Sequence, residues 1–149
     1  MALKDKVIVV TGGTSGIGEG CVRHFASLGA RVVIASNQAD PGAALEAELR
    51  AAGSDALYVF TDVAREESVQ SMVARALDRY GRVDGVHCNA GVWAKGKVTD
   101  FDDAVWEKVM GVNVKGVFWT AKHAVPVMEK QGKGVILITT SVAAHIGFP

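Results

Sequence analysis

The stretch TGGTSGIG, Thr11 to Gly18, sets Gly12, Gly16 and Gly18 in the spacing G-x-x-x-G-x-G directly after the apolar run Val7 to Val10. A phosphate needs backbone N–H groups with no Cβ in the way, and a helix N-terminus supplies them with a favourable dipole. The triphosphate loop G-x-x-x-x-G-K-[ST] is excluded, because Gly18 is followed by Glu19-Gly20. The spacing G-x-G-x-x-G also fails, since counting from Gly16 puts Cys21 at the third glycine. A strand-to-helix turn of this kind suits a dinucleotide pyrophosphate, and valine at Gly16 or Gly18 is expected to press methyl groups against it. Four further polar residues stand where they could do chemistry: Asp62 in TDV, Asn89 in CNAG, Asn113 in GVNVKGVF and Ser141 in TTSVAA. Each also has a plainer role open to it, as turn cap, tight turn, helix start or turn hydroxyl. The four histidines, His24, His87, His123 and His145, lie in separate segments without metal-ligand spacing, so no metal is expected.

These residues need a frame. Val7–Val10, Val32–Ala35, Leu57–Phe60, Val86–Cys88 and Val135–Ile138 are short, β-branched and not alternating, as expected of strands covered on both faces. Between them, Asp40-Pro41 predicts a helix start and Gly53 its stop. Val69, Met72, Val73, Ala76, Leu77 and Tyr80 predict a helix ended by Gly81. Val114, Val117, Phe118, Ala121, Val125 and Met128 predict another, kinked at Pro126. Strand and helix alternating to a fifth strand give an α/β class: a doubly wound, Rossmann-type parallel sheet of about five strands. Ligands of such sheets bind at the carboxyl ends of the strands, where the polar residues above fall.

Composition agrees. At 149 residues the chain is one domain long, residues 1–149, with 49% hydrophobic and 21% charged residues. Lys plus Arg and Asp plus Glu balance at 16 each, so no net field draws the chain to nucleic acid or an acidic membrane. Cys21 and Cys88 set no disulfide framework and are expected to be buried free thiols. With no signal-like or spanning apolar segment, the cytoplasm is the expected compartment.

Together the motifs resemble the short-chain dehydrogenases/reductases, in order and over essentially the whole chain. The resemblance implies cofactor contacts from Gly12, Thr14, Ser15, Gly16, Ile17 and Gly18, from Ser36 and Asn37, from Asp62 and Val63, and from Asn89, Ala90 and Gly91. CNAG departs from the family's N-N-A-G, with Cys88 in place of the first asparagine. Asn113 and Ser141 match the family's catalytic asparagine and serine. The implied activity is hydride transfer between NAD or NADP and a small alcohol or ketone, and the complete protein is expected to be a homo-oligomer. Ser36 holds the place of an acid that would select NAD, and Asn37 that of an arginine that would select NADP. Weak discrimination is expected, tilted to NAD by the lack of a cation.

In the family a Tyr-x-x-x-Lys pair follows the serine by about a dozen residues, whereas here Pro149 comes first. The chain is therefore expected to be truncated after strand five: the cofactor-binding portion, inactive alone, with strand five as an exposed edge. The alternatives are a non-catalytic dinucleotide- or partner-binding module and one half of a split enzyme. Trp93 is expected to pack rather than line a substrate mouth.

Overall fold

A computed structural model describes residues 3–146. The five apolar runs are strands: β1 Val7–Thr11, β2 Arg31–Ser36, β3 Ala56–Phe60, β4 Gly85–Cys88 and β5 Val135–Ile138. They form one parallel sheet in the order β3-β2-β1-β4-β5. The order reverses between β1 and β4, and the crevice at that switch lies at the strands' carboxyl ends.

Helices α1 (Gly16–Ser27) and α2 (Ala39–Ala51) cover one face, where Val22, Ala26, Leu45 and Leu49 pack on Ile8, Val10, Val32, Ile34 and Ala56. Helix α3 (Glu66–Tyr80) covers the other. Its Val69, Met72, Val73 and Ala76 meet Val7, Val9, Val33, Leu57 and Val59. Buried from both sides, β1 and β2 can be apolar at every position, and this is why their sequences do not alternate. The doubly wound expectation holds.

Four local readings need correction. Helix α2 begins at Ala39 with Gln38 as an extended N-cap, so Asp40 sits inside the first turn instead of capping it. The helix expected from Val114 starts earlier: α4 (Asp103–Met110) runs through a π-helical turn, Gly111–Lys115, into α5 (Gly116–Gln131). Close packing shapes this junction, since a Cβ on Gly116 would lie 3.0 Å from the Val63 Cβ. Cys88 is buried but Cys21 is only half-buried. Trp93 does not pack, being 83% exposed.

Gly81 ends α3 with φ 70, as expected of a left-handed stop. Pro126 stands inside α5 without ending it. At the sheet margin, Val135, Leu137 and Ile138 of β5 are 66%, 52% and 48% exposed, and Ile136 is half-buried against the α3 side of the core. The exposed edge is present.

Candidate active site

Thr11 ends β1, and its hydroxyl is the hub of the crevice. Thr11 Oγ1 accepts from the Asn89 and Ala90 N–H groups at 3.0 and 3.1 Å and donates to the His87 carbonyl at 3.4 Å. Asn89 answers through Nδ2, which donates to the Thr11 and Gly12 carbonyls at 3.1 and 3.4 Å. The turn after β4 is thereby fastened to the start of the glycine loop. Sequence reading named Asn89 and missed Thr11, whose signal was a hydroxyl at the mouth of a glycine-rich turn.

The three glycines do different work. Gly12 has φ +65, and a Cβ there would meet the Ala90 Cα at 2.9 Å. A Cβ on Gly18 would overlap the Gly12 carbonyl and the Asn89 amide, so Gly18 lets α1 close on its own loop. At Gly18 the valine expected to press on the pyrophosphate would thus first meet the chain's own loop. Gly16 has φ +52, and its Cβ would meet nothing within 4 Å among the described residues. Space above Gly16 is where a phosphate could sit. Ser15 at the N-cap makes no side-chain bond to the first turn among the described residues, so the first N–H groups of α1 remain available to an anion. Ile17 lies 67% exposed beside them.

A cleft of about 200 Å³ opens over these ends, lined by Gly12, Thr14, Ser15, Ser36, Asn37, Asp62, Val63, Ala90 and Gly91 among the expected residues. Gln38, Thr61, Val92 and Val112 also line it and were not foreseen. At the β2 end, buried Ser36 and Thr14 share a hydroxyl hydrogen bond of 2.8 Å, and Thr14 donates to Gln38 Oε1 at 3.0 Å. Ser36 Oγ also accepts from the Gln38 N–H at 3.2 Å. This corner is uncharged, and exposed Asn37 stands at its rim. Asp62 Oδ1 accepts from the Ala64 N–H at 3.0 Å, and the Asp62 N–H donates to Ser68 Oγ at 3.0 Å. Asp62 therefore shapes the turn before α3 while lining the cleft. The donor set and the space over Gly16 fit a dinucleotide.

Asn113 lies in the π-helical turn and clamps one residue of the cleft wall. Its Oδ1 accepts from the Val92 N–H and its Nδ2 donates to the Val92 carbonyl, both at 2.9 Å. Ser141, exposed after β5, accepts from the Ala143 N–H at 3.1 Å and starts a single turn, Val142–Ala144. No hydrogen bond among the described residues joins Ser141 to Asn113. Cys88, at the departure from N-N-A-G, points into the core, where burial pushes its thiol up to about 11. No cluster of three or more potential metal ligands occurs among the described residues.

Neither tyrosine of the chain lines this cleft. Tyr58 donates to the Ser36 carbonyl at 2.9 Å, and Tyr80 donates to Asp55 Oδ1 at 3.0 Å. Burial raises the pKa of both above the ordinary phenol value, and the Asp55 carboxylate adds to the rise at Tyr80.

A cleft at the switch point of a doubly wound sheet, bordered by a glycine loop, is the arrangement of a Rossmann-type fold. The family model described as short chain dehydrogenase matches residues 6–149, and the chain belongs to that family. An uncharacterised oxidoreductase of Thermotoga maritima is 36% identical, with 100% of this chain and 59% of that protein covered. Tropinone reductase-like 2 of Erythroxylum coca is 40% identical, with coverage of 97% and 53%. A short chain dehydrogenase/reductase from Burkholderia phymatum, solved in complex with NAD, superposes with TM-score 0.96 at 35% identity, covering 100% of this chain and 53% of that one. The chain thus spans between half and two thirds of the length of the relatives it matches. No described helix is long and apolar enough to cross a membrane.

Proposed function

We propose that this chain is the dinucleotide-binding portion of an NAD(P)-dependent oxidoreductase that interconverts a small alcohol and a ketone. The observation that carries the reading is the cleft bordered by Gly12 and Ser15 at the strand ends, next to Gly16, where an added Cβ would meet nothing within 4 Å among the described residues. A bound nicotinamide supplies the hydride acceptor or donor. Gly12, Gly16 and the first turn of α1 would hold the pyrophosphate. Ser36, Asn37 and Gln38 would face the adenosine ribose, with Thr61, Asp62 and Val63 beside the base. Ser141 would polarise the substrate oxygen, and Asn113 would fix the wall that Val92 contributes. Relatives named tropinone reductase-like and the structurally similar levodione reductase support a ketone–alcohol couple.

The uncharged corner at Ser36 neither repels a 2′-phosphate with a carboxylate nor attracts it with a cation, so discrimination is weak and tilts to NAD. The 149-residue chain alone binds without turning over. Proton transfer needs a group near the carbonyl with a pKa tuned to neutral pH, typically contributing about 10²–10⁴-fold. Both tyrosines are shifted in the wrong direction for this and neither lines the cleft. Calorimetric titration of the chain with NAD and NADP is expected to give two affinities within about tenfold, NAD the tighter, with no ketone reduction by the same sample. Absence of binding to either nucleotide, or robust turnover, would refute the reading.

A further inference from the structure

His87 is the anomaly on the α1 side of the sheet. It stands in register between Val10 of β1 and Leu137 of β5, beside a groove whose apolar wall includes Leu3, Ile8 and Phe25. An aliphatic side chain would fill this place without the desolvation cost of an imidazole. His87 is only 4% exposed, and its Nδ1 is buried with no partner among the described residues. Its Nε2 lies 2.8 Å from Thr139 Oγ1, and that hydroxyl donates to Asn89 Oδ1 at 3.3 Å. Asn89 is the residue whose Nδ2 holds the Thr11 and Gly12 carbonyls.

Donor arithmetic fixes the direction of this line. A hydroxyl has one proton to give. If Thr139 gives it to Asn89, its oxygen accepts from His87, which must then carry the proton on Nε2 and leave Nδ1 as a bare acceptor. The opposite tautomer would strip Asn89 Oδ1 of its donor and bury an unpaired N–H at Nδ1, the rarer defect. The Thr139 N–H also donates to the Cys88 carbonyl at 3.0 Å, so the hydroxyl is carried by a strand end in ladder with β4.

We propose that His87 and Thr139 are positioning residues of the dinucleotide site: the line His87–Thr139–Asn89 sets the Asn89 amide, and through it the glycine loop, in register with the strand that carries Ser141. The proposal rests on the dinucleotide reading for its purpose but not for its geometry. Lys6 and Asp84, themselves 3.7 Å apart, and Lys133 are the charged groups around the same groove, and Arg82 neutralises Asp84 from β4's approach.

The test uses the full 149-residue chain. Nitrogen NMR of the wild-type imidazole is expected to report the Nε2–H tautomer at neutral pH, and an Nδ1–H tautomer overturns the proposal. Solvent exchange of the Asn89 side-chain amide is expected to speed up about threefold to tenfold in His87→Leu and Thr139→Val. His87→Gln, which keeps a donor toward Thr139, is expected to restore the wild-type rate. NAD affinity is expected to follow the same order, weakened about threefold to tenfold in the first two variants and retained in the third. Unchanged exchange in both weakened variants refutes the line. Changed exchange with unchanged NAD affinity refutes its role in the site. A wild-type chain that binds no NAD refutes the positioning role together with the dinucleotide reading, whereas variant-only effects concern the line alone, so the two failures are told apart.

Discussion

Gly16 and Gly18 are two residues apart and fail for different reasons when given a side chain. At Gly18 the added atom runs into the Gly12 carbonyl, so Gly18→Ala is expected to cost about 1–3 kcal/mol of stability, read as a lower denaturation midpoint. At Gly16 the added atom meets open space, although φ +52 is strained for an L-residue by about 1–2 kcal/mol. Gly16→Ala is therefore expected to stay folded by circular dichroism and to lose NAD affinity at least tenfold by calorimetry. Equal NAD affinity for a folded Gly16→Ala chain would contradict the phosphate assignment. A third residue responds to acid. Burial lowers the His87 pKa below 6.5, so the unfolded chain takes up the proton first. Stability is full above the unfolded value and is lost as pH falls through it, until the lowered folded pKa is passed. Urea denaturation at pH 7.5 and 5.5 is expected to show a smaller loss in His87→Gln than in wild type. The paired carboxylates Asp84 and Glu66, whose pKa values are lowered, respond only at more acid pH.

At the scale of elements, the π-helical turn is the part that sequence periodicity concealed. The stripe read from Val114 through Phe118 and Val125 is exposed at those three residues, whereas Val112, Val117, Ala124 and Met128 face the core, because the extra residue of the turn Gly111–Lys115 shifts the helical register. Such turns arise often at functional sites because they re-aim one side chain. Here that side chain is Asn113, and its two bonds to Val92 hold the segment after β4. Asn113→Ala is expected to cost about 1–3 kcal/mol and to raise amide exchange at Val92 without altering β1 or β2. Unchanged exchange at Val92 would show that the clamp does not restrain the wall. The central strands were legible because their β-branched runs are buried on both faces, and β5 was legible by the same kind of run although it is exposed. The glycine loop was legible because its chemistry is local. The Thr11, His87 and Thr139 bonds were not legible, since they join residues 50–79 positions apart and depend on sheet order. Asp40 misled because a good capping residue lies two positions past the actual cap, Gln38, within the first turn.

For the whole molecule, β5 is the last strand on its side of the sheet among the described residues, and its Val135 and Leu137 lie exposed. An uncovered apolar edge of this kind pairs with other chains. Sedimentation of the 149-residue chain is expected to show concentration-dependent self-association, reduced by Leu137→Lys. Ile136 is the wrong place for that charge, because it rests against the core, whereas Ile138 is 48% exposed. A monomer at high micromolar concentration would count against the edge as an association surface.

The strand order also dictates a sequence of events in time. Residues 7–60 supply β1, β2, β3 and both helices of one layer, whereas the other face of these strands is covered by α3 and α5, which follow in the chain. The Thr11 hydroxyl then waits for a partner 78 residues later in the chain, Asn89, and Asn89 waits another 50 for Thr139. Until β4 docks beside β1, the glycine loop exists without its clamp. The loop's clamp is thus supplied entirely by residues that follow it by more than 70 positions, so a chain cut before β4 is expected to keep the glycine sequence and lose the bonds that hold it.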